Sequence, residues 1–205
     1  MTKNLSKHAF EGPSAWDVAG TSRALWRWAG LRLARAVGWV ALWWGAVYVT
    51  VAVLPAGAAV PMVVVLCALG VLAVLSFGRL WRGLRMRRIL RVYPWRQESG
   101  AVLITDAGDA AFRLPDPDHP EKTVSLKVAA GLFRSWGGAA LRDYDDELWY
   151  AGDPRFACVV AKPGPRGLAC LAQPTAYDHR TSPRRKSLSP EARSRARAIG
   201  ARVAD

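Results

Sequence analysis

Between Ala36 and Gly78 the chain runs for 43 residues without one Asp, Glu, Lys, Arg or His. A charged side chain at the centre of a bilayer costs about 2.5–3.5 kcal/mol on insertion scales, so such a run is what a membrane-crossing segment requires. One helix needs only ~20 apolar residues to cover ~30 Å of hydrocarbon. The run is about twice that long, and Pro55, Gly57 and Pro61 interrupt it near its middle. Proline inside a helix removes a hydrogen bond and clashes with the preceding turn. The expected element is a hairpin over 36–78, with spans at about 37–54 and 62–77.

Charge placement orients that hairpin. The net charge of +13 divides into +4 for residues 1–35, +7 for 79–97, −3 for 98–177 and +5 for 178–205. Arg23, Arg27, Arg32 and Arg35 precede the first span, and Arg79, Arg82, Arg85, Arg87, Arg88 and Arg91 follow the second. The connection between spans carries no charge. By the positive-inside rule the expected location is the cell (inner) membrane with both termini cytoplasmic. Ala56-Gly57-Ala58 has the form of a signal-peptidase site, but a leader with ~35 residues before its apolar core is unusually long.

Residues 1–35 read as a cytoplasmic segment, partly amphipathic helix, and 79–97 as a basic juxtamembrane helix with Leu80, Leu84, Ile89 and Leu90 among the arginines. Arg79, Arg82, Arg85, Arg87 and Arg88 are candidate contacts for anionic lipid. Ala34, Gly38, Ala41, Gly45 and Ala52 fall along one helical face. That face is expected to pack inside the hairpin, with self-association of several chains as the alternative.

From Ala101 short apolar runs alternate with Gly, Pro and Asp clusters, the pattern of strands and turns. AVLIT, AAFRL, TVSLKVA, ELWYA, RFACVVA and GLACLA are the candidates. In TVSLKV, Val124, Leu126 and Val128 share one face, and Thr123, Ser125 and Lys127 the other. Gly152-Asp153-Pro154-Arg155 and the Pro163–Gly167 stretch supply turns of a three-stranded meander. The fold class expected is α+β: a two-helix transmembrane hairpin followed by a small antiparallel β domain at 98–177. Five or six strands are expected there, as a partly open barrel or sandwich. Leu132 to Leu141 reads as either a short helix or a loop. The tail at 178–205 is basic and too poor in apolar residues to fold alone, with a transient helix starting at Ser189-Pro190.

No pattern in the chain specifies catalysis, and no cofactor is expected. His8, His119 and His179 are scattered, and no Cys/His cluster, Walker loop, dinucleotide glycine pattern or nucleophile elbow occurs. The acidic run Asp143, Asp145, Asp146, Glu147 lacks the central glycine and spacing of an EF-hand, so no metal is expected. Cys158 and Cys170 read as buried thiols, with a cross-strand bridge as the alternative. Gly152, Asp153, Pro154 and Arg155 form a candidate interaction turn. RRKS at Arg184–Ser187 has the form of a basophilic kinase site, a form that chance supplies in an Arg/Ser-rich tail.

YPWR at Tyr93–Arg96 and LWYAGDPRFACVV at Leu148–Val160 resemble uncharacterised two-span membrane proteins of high-GC actinobacteria, of the streptomycete type. The likeness spans roughly residues 35–172 and centres on a W-[FY]-A-G-D-P-R motif in a cytoplasmic β domain; it implies no catalytic residue. More loosely, the layout resembles bacterial membrane proteins with pleckstrin-like domains, whose seven strands and closing helix exceed the inventory expected here. The functional expectation is a non-enzymatic membrane protein that presents its β domain for protein–protein interaction or self-assembly. Membrane lipids and a protein partner or second copy are the expected partners. A basic tail binding anionic lipid, or less favourably nucleic acid, is one alternative; an oligomeric transport or channel subunit is another.

Overall fold

The computed structural model describes residues 12–53, 55–104, 110–119, 121–128, 144, 146–172, 188–201 and 203. The chain divides into two compact units, one of Trp26–Leu84 and one of Met1–Leu25 with Arg85–Asp205. Two long helices, α1 (Thr21–Ala52) and α2 (Ala56–Val92), supply the whole of the first unit. At 1.5 Å per residue they are ~48 and ~55 Å long, so each extends beyond its apolar run into the arginines. Both are long and apolar enough to cross a membrane.

The turn between the helices is shorter than the sequence suggests. Gly57 and Pro61 lie inside α2, and Pro55 directly precedes it. Pro61 is unable to donate to the Gly57 carbonyl, but this is one bond in a helix of 37 residues. Large residues of α1 seat on glycines of α2. The Trp43 indole Nε1 donates to the Leu66 carbonyl at 3.0 Å, and a Cβ at Gly70 would stand only 3.4 Å from that nitrogen. Nearer the arginines, Trp28 packs on Gly83, where a Cβ would lie 2.9 Å from the ring. These two contacts fix the antiparallel register.

The small-residue face of α1 plays no part in this packing, contrary to expectation. Gly38 and Gly45 have nothing within 4 Å of a built Cβ, and Ala34 and Ala41 are exposed. The reason lies in α2, whose glycines accept indole rings and so draw the tryptophan face of α1 inward. Much of the hairpin's remaining surface is apolar and uncovered: Val51 is 80% exposed, Val64 and Val74 each 71%, and Trp44 61%.

In the second unit the described strands number seven: β1 (Arg96–Glu98), β2 (Val102–Ile104), β3 (Ala110–Pro115), β4 (Thr123–Val128), β5 (Leu148–Asp153), β6 (Ala157–Lys162) and β7 (Arg166–Ala172). They form one antiparallel sheet in the order β1-β5-β6-β7-β4-β3-β2. The expected six runs are all present; the seventh strand is β1, whose Arg96 and Gln97 lie at the end of the stretch expected to be helical. Helix α2 stops at Val92, because a residue before proline disfavours helical backbone and Pro94 follows Tyr93. Arg96 then pairs with Tyr150 and Glu98 with Leu148.

Alternation within the strands builds the core. Phe112 and Leu114 of β3, Leu126 of β4, Leu148 and Tyr150 of β5, and Val160 of β6 belong to one cluster. Strands β3 and β5 are well separated in the sheet order, so sharing a core requires the sheet to curl. On β4, Leu126 is buried while Thr123 and Ser125 are exposed, as the period of two predicts.

The other face of β5 and β6 is covered too, since Ala151, Ala157, Val159 and Ala161 are fully buried. Two apolar helix faces are buried in the same unit. Met86, Ile89 and Leu90 line one side of α2, with buried Tyr93 just past its end, and Ala192 and Ala196 line one side of a C-terminal helix α3 (Pro190–Ala198). The end of α2 is capped by the N-terminal segment: the Ala15 N–H donates to the Tyr93 carbonyl and the Trp16 N–H to the Leu90 carbonyl, both at 2.8 Å. These bonds satisfy carbonyls that a helix end leaves unpaired.

Helix α3 starts at the Ser189-Pro190 signal that the sequence offers. Leu188, Ala192, Ala196, Ile199 and Ala201 are buried, so 188–201 is an ordered part of this unit. Small alanines at a spacing of four cannot build a core alone, but they let a helix lie close against an existing one. The expected helix-or-loop at 132–141 lies outside the described residues.

Candidate functional site

The interaction turn expected from the sequence joins β5 to β6, and its four residues point inward. Gly152, Asp153, Pro154 and Arg155 are all buried. Gly152 adopts φ +128, and a Cβ there would overlap the Ala157 carbonyl oxygen and stand 2.8 Å from Cys158 Cα. Only glycine meets both demands. Asp153 then shapes the turn: its Oδ1 accepts from the Arg155 backbone N–H at 2.9 Å, and its carbonyl accepts from the Phe156 N–H at 2.9 Å. Pro154 supplies the preset φ of a turn's second residue.

Arg155 folds back over this turn. Its Nε donates to Asp153 Oδ1 at 3.0 Å and its Nη2 to Asp153 Oδ2 at 2.8 Å, a two-pronged grip on one carboxylate. The remaining arm, Nη1, donates to Asp118 Oδ2 at 2.5 Å and lies 3.4 Å from Asp116 Oδ1. Asp116 and Asp118 sit in the turn between β3 and β4, where Asp116 Oδ1 accepts from the Asp118 N–H at 2.9 Å. The Ser189 N–H is 3.5 Å from Asp118 Oδ2, and the Ser189 hydroxyl oxygen accepts from Ala192 N at 3.2 Å as the cap of α3. One guanidinium thereby joins two hairpin turns, and Asp118 extends the group to the start of the C-terminal helix.

Three carboxylates around one arginine leave the group net negative. Asp153 is fully buried and makes the two-pronged pair, whereas the side chains of Asp116 and Asp118 keep 15% and 18% of their surface in water. The excess charge thus lies at the wet edge, where desolvation costs least. Burial alone would lower the affinity of Arg155 for its proton, but the hydrogen bonds and charge of Asp153, then of Asp118, raise it above the ordinary arginine value. Tyr93 lies within electrostatic reach of Asp153, Arg155 and Arg195, and burial followed by the Asp153 charge raises its phenol well above the usual range. Burial also raises the Tyr150 phenol and, with Asp153 second, the Cys158 thiol. A thiol held protonated is a poor nucleophile.

The bridging alternative for the cysteines is excluded by register. Cys170 faces Val159, whereas Cys158 faces Leu171, so the two thiols lie on opposite faces of the sheet. All three cysteines are free, Cys67 exposed and the others buried. Among the described residues no group of three or more His, Cys, Asp or Glu is arranged to hold a metal. Of the acidic run, Asp146 and Glu147 are exposed, and Asp143 and Asp145 lie outside the described residues, as do His8, His179 and Arg184–Ser187.

The candidate lipid contacts divide. Arg88 is exposed and Arg82, Arg85 and Arg87 are half-buried; the Arg79 side chain lies outside the described set. Arg87 and Arg91, one turn apart, stand 5.5 and 5.3 Å from the Trp16 ring. Arg87 therefore serves in part to hold the N-terminal segment on α2. Sequence reading missed Asp116 and Asp118 as partners of Arg155, and Ser189 as a partner of Asp118. The available signal was the Asp-x-Asp spacing in a proline-flanked turn, which marks a tight Asx turn but not its distant partner.

No known protein family, curated protein or solved structure matches the chain.

Proposed function

We propose that this chain is a non-enzymatic integral protein of the inner membrane. In this reading α1 and α2 form a lipid-embedded hairpin with both termini in the cytoplasm, and the β unit is presented there for protein–protein contact or self-assembly. The observation that carries the membrane part is the uncovered apolar surface of the hairpin. Helices in a water-soluble core bury such side chains, whereas Val51, Val64, Val74 and Phe77 face outward. The polar groups nearby support it: the Thr50 hydroxyl donates to the Ala46 carbonyl at 2.7 Å and the Ser76 hydroxyl to the Leu72 carbonyl at 2.8 Å. Hydroxyls satisfied within their own helix need no water.

Carbonate extraction of membranes, combined with compartment reporters fused to each terminus, tests the reading. The expected result is full retention in the pellet with both reporters active in the cytoplasm. Release into the supernatant, or reporters on opposite sides, would overturn it. Membership of the actinobacterial two-span grouping belongs to the same proposal, on the strength of the GDPR turn.

Self-assembly is favoured over an ion-conducting subunit. The Gly38 and Gly45 face is open for close approach of a second α1, and the uncharged stretch supplies no ionisable lining. A tail module for lipid is disfavoured because α3 has its apolar face buried in the β unit. Mass measurement in detergent on wild type and on Gly38→Leu/Gly45→Leu separates these readings: an oligomer that the double variant dissociates is expected, and a wild-type monomer opposes it.

A further inference from the structure

The helices differ in how they offer their arginines. No acidic residue lies between Asp17 and Glu98, so neither helix carries an internal counter-charge. On α1, Arg27, Leu31 and Arg35 recur every fourth position, one turn apart at ~6 Å. All three are exposed, as is the neighbouring Trp26, which is 64% accessible. The α2 set is less available, with Arg82, Arg85 and Arg87 half-buried and Arg87 beside Trp16.

Helix direction adds a second difference. Cα–Cβ bonds tilt toward a helix's N-terminus. In the proposed topology the N-terminus of α1 is cytoplasmic, so Arg35 leans out of the hydrocarbon toward the phosphate layer. The same tilt leans α2 side chains back toward the hydrocarbon. Leu31 and Trp26 provide an apolar floor between and beside the two guanidinium groups, suited to the acyl–headgroup boundary.

We infer that the exposed ladder Trp26–Arg27–Leu31–Arg35 on α1 selects anionic phospholipid headgroups of the cytoplasmic leaflet. This rests on the membrane reading. The occupant is a lipid because the ladder continues the uncovered apolar surface of α1 and carries only positive charge. Each arginine near an anionic leaflet contributes about a fivefold preference, and the preference weakens as salt screens exposed charge.

The test uses the full-length protein in vesicles and its own tryptophans as reporters. Phosphatidylcholine or phosphatidylglycerol with brominated acyl chains is mixed at equal mole fraction into the unbrominated other lipid. Stronger quenching by brominated phosphatidylglycerol is expected, weakening in salt, with the preference falling at least fivefold in Arg27→Gln/Arg35→Gln. Equal quenching by both lipids overturns the inference while leaving the membrane reading intact. So does a preference that survives in Arg27→Gln/Arg35→Gln but disappears in Arg82→Gln/Arg85→Gln/Arg88→Gln. Quenching by neither lipid overturns both.

Discussion

The two units invert each other. In the hairpin, many valines and Trp44 point outward, and the Thr50 and Ser76 hydroxyls are bonded within their own helices. In the β unit, an arginine and an aspartate are sealed inside and the alternating strands hide their apolar side. The same rule, that polar groups need partners and apolar groups need to leave water, gives opposite surfaces when the surroundings differ. In the proposed reading lipid receives the hairpin's apolar surface, whereas in the β unit a buried ion group ties two turns to the start of α3.

If that contrast is right, the β unit is most vulnerable where its charges are paired. Asp153→Ala leaves Arg155 buried with two of its three guanidinium nitrogens unanswered and is expected to cost about 3–5 kcal/mol. Denaturant titration of full-length protein, followed by the near-ultraviolet signal of the β unit, reads this directly. A loss below about 1 kcal/mol would mean that water reaches the pair. Gly152→Ala is expected to cost about 1–3 kcal/mol by backbone strain, before any penalty for its overlap with the Ala157 carbonyl.

Alkali should weaken the β unit and leave the hairpin contacts alone. Cys158, Tyr93 and Tyr150 all hold their protons more tightly when folded, so the unfolded chain ionises first and binds fewer protons. Stability from these groups is complete below the unfolded thiol value of ~8.5 and falls above it. The expected slope is about 1.4 kcal/mol per pH unit for the thiol, and steeper once phenols titrate near ~10. Cys158→Ala should flatten the first part of this limb in denaturant midpoints measured from pH 8 to 10.5.

Within the hairpin the glycines should separate by position. Gly83→Ala, which meets the Trp28 ring, is expected to cost about 1–2 kcal/mol of helix–helix stability. Gly38→Ala, facing open space, should cost nothing there, and helix propensity makes it slightly favourable. Unfolding in mixed micelles distinguishes them. The smallest expected effect is Ser189→Ala, about 1 kcal/mol from loss of the α3 cap, seen as faster amide exchange over 190–198.

How far these features were readable depended on how local their causes are. The hairpin follows from 43 missing charges and two prolines, all in one stretch. The meander and the Gly152–Arg155 turn follow from residues that act on their immediate neighbours. Strand β1 was hidden because Arg96, Gln97 and Glu98 have no apolar alternation; only pairing with β5, some fifty residues on, makes them a strand. The docking of α3 was hidden because alanines register as weak apolar signal and their partner surface is distant. Arg155 and Asp118 are 37 residues apart, and nothing in either segment points to the other. The inward role of the tryptophans Trp28 and Trp43 likewise depended on which glycines of α2 would face them.

Cys67 gives the most direct test of the claim that lipid covers the hairpin, since it is the exposed thiol in the middle of α2 while Cys158 and Cys170 are buried. Native membranes, made permeable on both sides, are treated with a membrane-impermeant maleimide, and modified thiols are counted by mass before and after denaturation. The account predicts no modification before denaturation and three thiols after it. Rapid modification of Cys67 in the intact membranes would show that water, not lipid, meets that face.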